Sequence, residues 1–129
     1  NWRCVVSKYF KPKETQCSCC GLNFMDEEFM EAIDAIREEY GAPMIVSSGY
    51  RCVNHPIEAA KRAPGPHNTG MAIDILCHGA EAYRLIRLAL SIGMRGIGIN
   101  QKGDIDQRFI HLDDCDHGPN RPRPWIWSY

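Results

Sequence analysis

His67, Asp74 and His111 are the residues whose types and spacing could do chemistry. His67 ends the proline- and glycine-bearing loop Ala63-Pro64-Gly65-Pro66. Asp74 follows seven residues later in Met71–Leu76, where Met71, Ile73 and Ile75 alternate with Ala72 and Asp74 as in a strand. A carboxylate in a sheet is costly unless a metal cation or an Arg compensates its charge. Imidazole plus carboxylate suits zinc, which takes nitrogen and oxygen donors at about 2.0–2.2 Å. For that pair alone, an Asp capping a loop beside a solvated His is the simpler reading. His111 shifts the balance. It lies in the alternating stretch Phe109-Ile110-His111-Leu112-Asp113, with Ile110 and Leu112 on the opposite face and Asp113 on its own. Two His and one Asp converging from two predicted strands leave a fourth position open, the pattern of a catalytic zinc rather than a closed structural one. A carboxylate beside a ligating imidazole, as Asp113 would be, commonly fixes its tautomer.

The elements that must position these residues are legible in outline. Asp26–Tyr40 carries Phe29, Ile33, Ile36 and Tyr40 at helical spacing, with Asp26 as N-cap and Gly41 and Pro43 as stops. A short strand, Met44–Ser47, should follow, and Asn54-His55-Pro56 opens a short helix to about Arg62. Ala80–Ile92 is predicted as a second amphipathic helix built on Tyr83, Ile86 and Leu90, ending at Gly93. Ile97–Asn100 and Phe109–Leu112 are predicted strands, joined by the turn-prone Lys102-Gly103-Asp104. Residues 1–25 look irregular. The tail Arg121-Pro122-Arg123-Pro124-Trp125 looks too proline-rich for regular structure, with Trp125 and Trp127 packing back on the body. The expected class is α+β: a small antiparallel sheet with flanking helices, in one domain over residues 1–129.

Composition narrows the function classes. Of 129 residues, 44% are hydrophobic and 24% charged, with a formal net charge of -1, so charge gives no reason to expect a nucleic-acid partner. No apolar run approaches the roughly 20 residues of a membrane span. Asn1-Trp2-Arg3-Cys4 shows no signal peptide, although a removed leader stays open. Seven cysteines leave at least one unpaired within the chain. Reduced thiols are the plainest reading, ahead of a partial disulfide set. A second, structural zinc near Cys17-Ser18-Cys19-Cys20 is a weak signal, since such sites often need two separated pairs and only one tight cluster is present.

Taken together, these motifs resemble the zinc D-Ala-D-Ala carboxypeptidase and peptidoglycan endopeptidase family, whose fold is shared with the Hedgehog signalling domain. The resemblance rests on His67, Gly70, Ala72 and Asp74 with the later His111, on Ser48-Gly49-Tyr50-Arg51 upstream, and on Gly96-Ile97-Gly98-Ile99 leading toward Phe109–Asp113. The cysteine-bearing start and the Arg-Pro-Trp end look like a phage or bacterial branch. The resemblance implies that His67, Asp74 and His111 bind Zn2+, and that Arg51 binds substrate or stabilises developing negative charge, which its permanently charged fork of donors suits.

Two positions depart from the family pattern. Gly65 stands where a Ser is usual, two residues before the first ligand, and Arg108 stands where many members carry an acidic general base, three residues before the last His. Asp113 is then the preferred catalytic carboxylate, with a role as anchor of His111 as its alternative, and Asp106 is the other candidate base. His55, His78 and His117 are expected to be structural or exposed. The expected activity is metal-assisted hydrolysis of an amide bond in a peptidoglycan stem peptide by a monomeric enzyme. The competing reading is a non-catalytic zinc-binding module of the same fold that binds cell-wall peptides or a protein partner.

Overall fold

The computed structural model describes residues 7–129, so Cys4 and the sequence reading of Asn1–Cys4 fall outside it. The elements run α1 (Pro12–Thr15), α2 (Glu27–Tyr40), β1 (Ile45–Ser48), α3 (Pro56–Ala59), β2 (Ala72–Leu76), α4 (Gly79–Ser91), β3 (Gly96–Asn100), β4 (Phe109–Asp113) and β5 (Trp125–Ser128). Single 3-10 turns cover Pro66–Thr69 and Ile105–Gln107. No helix among the described residues is long and apolar enough to cross a membrane.

The class is α+β, as the sequence predicts. The strands order β1-β2-β4-β3-β5 in one open sheet. The first four strands pair antiparallel, as expected. The fifth corrects two readings: the proline-rich tail ends in a strand, and β5 joins β3 in parallel. Both prolines of that tail precede the strand's ladder, where a missing N–H costs nothing. Among the described residues before 26 there is one regular piece, the single turn α1, begun by Pro12 and capped by the Lys11 N–H on Glu14 Oε2 (2.6 Å).

The core fills one face of the sheet. Ile73 and Ile75 of β2, Ile110 and Leu112 of β4 and Ile97 of β3 pack with Phe29, Ile33 and Ile36 of α2 and Leu85 and Ala89 of α4. Helix α2 follows its sequence pattern closely. Asp26 Oδ2 accepts from the Phe29 N–H (2.9 Å), and Gly41, in left-handed conformation at φ 74°, closes the other end on the Arg37 carbonyl.

Helix α4 buries a different face from the predicted one. Ala82, Leu85 and Ala89 turn inward and Ile86 of the predicted stripe packs at the edge of the core, while Tyr83 is 72% and Leu90 59% exposed. The helix is apolar on more than one side, so periodicity admits two stripes, and the one centred on Leu85 is buried against the sheet. Leu85→Ala is therefore expected to cost about 2–5 kcal/mol in chemical denaturation, and Leu90→Ala no more than about 0.5 kcal/mol. The opposite order would restore the predicted stripe.

Candidate metal centre

Strand alternation sends the charged residues to the face away from the helices. In the register, Asp74 lies opposite His111 and Ala72 opposite Asp113; on the other side of β4, His111 faces Gly98 and Asp113 faces Gly96; beyond β3, Gly98 faces Trp127. The two glycines make room for this layer. A Cβ at Gly96 would run into the Asp113 carboxylate, and one at Gly98 would lie 2.7 Å from Trp127 Cε2. The Trp127 ring can thus cross β3 and reach His111, with ring centroids 5.1 Å apart.

His67 arrives from outside the sheet, on the 3-10 turn between Gly65 and Gly70. Gly70 sits at φ 78°, and a Cβ there would collide with the Phe24 carbonyl, so this turn requires glycine. The segment Gly49–Arg51 holds the turn on its other side. The Arg51 N–H donates to the His67 carbonyl (3.1 Å), the Asn68 side-chain amide to the Arg51 carbonyl (2.9 Å), and the His67 ring, through Nδ1, to the Gly49 carbonyl (2.8 Å).

These contacts settle which ring atoms face inward. A carbonyl only accepts, so His67 carries its proton on Nδ1 and turns the Nε2 lone pair to Asp74 Oδ1, 3.3 Å away. His111 places Nε2 against Asp113 Oδ2 (2.7 Å) and Nδ1 against Asp74 Oδ1 (2.9 Å). His67 Nε2, Asp74 Oδ1 and His111 Nδ1 therefore converge, and one donor atom from each residue lies within 4.8 Å of the others. Tetrahedral bonds of about 2.0–2.1 Å to one zinc would set such atoms about 3.3 Å apart. Three buried acceptors aimed at one point fit a cation. Without one, a second proton on His111 must fill the gap.

The charges bear this out. Burial works to raise the Asp74 pKa, but the His111 and His67 rings overcome it and hold the carboxyl well below the usual range. Asp113 behaves alike: burial opposes its charge, and His111 and Arg123 more than compensate. His111 is raised, because Asp113 and Asp74 outweigh the burial that favours its neutral form.

The structure brings His67, Asp74 and His111 together, and Arg51 beside them. Arg51 Nη2 lies 3.6 Å from Asp74 Oδ2, while Nε donates to Ser48 Oγ (3.0 Å) and Nη1 to Glu58 Oε2 (3.3 Å). Asp113 touches the far nitrogen of His111, not the converging atoms, and Arg123 grips both its oxygens (2.8 and 2.7 Å). Asp106 is exposed on the turn Ile105–Gln107 and does not line the cleft, although Gln107 does. Arg108 turns away onto the Gly103 carbonyl. His78 and His117 are exposed, and His117 Nδ1 accepts from the Arg123 N–H (3.1 Å).

Sequence reasoning missed three groups. Arg123 is the cation on Asp113; two Arg flank Pro122, and nothing in their spacing says which turns inward. Glu58 is buried under Arg51, Lys61 and the Gly65 N–H (2.7 Å). Gly65 thus anchors Glu58 through its backbone at the position where a Ser is usual. Tyr129 walls the cleft, its phenol raised by burial and by the Asp74 charge. The cleft above the three converging atoms measures about 570 Å³ and is lined by Ser47, Arg51, Phe109, Trp127 and Tyr129 among others. A second groove of about 870 Å³ runs on from it past Lys61, Arg62 and Arg121.

A small α+β protein with a buried two-His, one-carboxylate cluster under an open cleft has the architecture of a mononuclear metal site with room for a ligand. A family model for peptidase M15 matches residues 8–113, and the chain belongs to that zinc-dependent peptidase family. No curated protein and no solved structure matches it.

Proposed function

We propose that the protein is a zinc peptidase that hydrolyses an amide bond in peptidoglycan stem peptides, as a D-Ala-D-Ala carboxypeptidase or a murein endopeptidase. The observation that carries this reading is the convergence of His67 Nε2, Asp74 Oδ1 and His111 Nδ1 at the floor of an open cleft in a chain of the peptidase M15 family. A zinc ion held by those atoms supplies Lewis acidity toward the scissile carbonyl and its attacking water. The chain supplies the rest. Asp113 and Arg123 fix the tautomer and aim of His111. Ser48 and Glu58 fix the Arg51 guanidinium at the cleft floor, where it can pair with a substrate carboxylate or a developing oxyanion. Trp127 and Tyr129 give the cleft one aromatic wall. The adjoining groove, with Lys61, Arg62 and Arg121, suits a peptide bearing carboxylates.

One observation favours the second reading, a non-catalytic zinc-binding module. Asp74 is the only carboxylate that lines the cleft among the described residues, and Arg108 occupies the position three residues before His111. Asp113 has both oxygens engaged and serves as an anchor rather than a proton acceptor. Digestion of purified sacculi, followed by mass spectrometry of released peptides, separates the two readings. New termini identify the bond cut; no product from protein shown to hold zinc would sink the peptidase reading.

A further inference from the structure

A second set of converging donors lies apart from the cleft. Cys17, Cys20 and Cys52 each offer a sulfur, and the three sulfurs lie within 4.8 Å of one another. Two of them come from one tight turn and the third from the loop that follows β1. The turn is closed by the Gly21 N–H on the Cys17 carbonyl (2.8 Å) and by the Cys17 N–H on the Leu22 carbonyl (2.8 Å), with Gly21 at φ 76°. Cys17 is almost fully buried. Its sulfur accepts from the Cys52 N–H (3.4 Å), and the backbone N–H groups of Cys20 and Cys19 also point at it. A buried sulfur surrounded by N–H donors, as that of Cys17 is, is prepared to carry negative charge. Cys19 stands at the rim, 3.9 Å from the Asn54 carbonyl and close enough to interact with both Cys52 and Cys17.

We propose that Cys17, Cys20 and Cys52 form a structural zinc site, with Cys19 placed to complete a four-thiolate shell. The donor set selects the metal: thiolates favour zinc over hard cations, and a closed four-coordinate shell leaves no position for substrate. A disulfide accounts for the arrangement less well. It would join two of the three sulfurs and leave the third without a partner, whereas one ion satisfies all of them.

The site also has a purpose in the architecture. Cys52 directly follows Arg51, and the segment Gly49–Arg51 holds the His67 ring, the His67 carbonyl and the Asn68 side chain. The Tyr50 N–H donates to the Thr15 carbonyl (2.8 Å), two residues before Cys17. A metal at the cysteines therefore clamps both ends of the strip that positions the first candidate ligand of the cleft.

Cobalt substitution of the full chain tests this without relying on activity. The cleft donors contain no sulfur, so a thiolate-to-cobalt charge-transfer band in the near ultraviolet reports the cysteine site alone. We expect two metal ions per chain by elemental analysis, and the band. Cys20→Ser, at an exposed position where no core packing is lost, should remove the band and one metal while the other stays. His111→Ala should keep the band and lose the other metal. A band-free cobalt protein, unchanged metal content in Cys20→Ser, or a disulfide among Cys17, Cys20 and Cys52 in the purified chain would overturn the proposal. None of these outcomes depends on whether the cleft hydrolyses peptides.

Discussion

Asp74→Asn is expected to weaken zinc binding by more than a hundredfold and to abolish hydrolysis of sacculi. Asp74 is the hub of the cluster: Oδ1 faces both His67 Nε2 and His111 Nδ1, and Oδ2 faces Arg51. Asparagine keeps the shape and removes the charge. The metal would lose the one anionic donor of the set and keep two neutral imidazoles, and at 1.4 kcal/mol per tenfold the hundredfold loss corresponds to about 2.8 kcal/mol of binding free energy. Competition with a chelator measures it, and near-native affinity would remove Asp74 from the ligand set. In the parent protein, zinc must displace a proton from His111, whose pKa the two carboxylates raise. Affinity should therefore fall as pH drops through the histidine range, with protons released on binding.

The second large effect is expected at the pair behind His111. Asp113 has no exposed surface, and Arg123 binds it through two parallel hydrogen bonds. Arg123→Ala strands that carboxylate, at an expected cost of about 3–5 kcal/mol in stability. Asp113→Asn should keep zinc but lower affinity and turnover together, by about 10–100-fold, as loss of a partner to a ligating imidazole does. A proton acceptor would behave differently, with turnover falling about 100–10,000-fold and zinc affinity unchanged. The pH dependence has a definite sign. Asp113 is held below its unfolded value of about 3.9, so its contribution is full above about pH 4 and is lost on further acidification through its folded pKa. The stability gap between the parent and Asp113→Asn should accordingly close below about pH 4.

Period-two alternation placed His111 and Asp113 on one face of a strand and Ile110 and Leu112 on the other, and the register joins that face to Asp74. Such features are local, and local pattern suffices to read them. The α4 face was not legible, because its apolar residues form two overlapping stripes and only the sheet beneath chooses. Strand β5 was hidden for a different reason. Its parallel partner lies about thirty residues earlier, and the prolines ahead of it mask a short alternating run. Arg123 shares that concealment. Cys52 is separated from Cys17 and Cys20 by more than thirty residues, so the sequence shows only the tight cluster Cys17-Ser18-Cys19-Cys20 until the fold brings Cys52 to it.

Read from the N-terminus, the last metal-facing residue, His111, precedes the residues that support it. His111 is oriented by Asp113, which depends on Arg123, and it is flanked by Trp127 across Gly98. Contacts over long sequence separations form late and slowly. On a ribosome, the helices and the antiparallel pairs can assemble while the imidazole of His111 still lacks its support. Maturation of the centre is thus tied to emergence of the last dozen or so of these residues. A chain cut after β4 would keep all three candidate ligands, Asp113 and most of the core, yet that buried carboxylate would lack its arginine and His111 its covering indole.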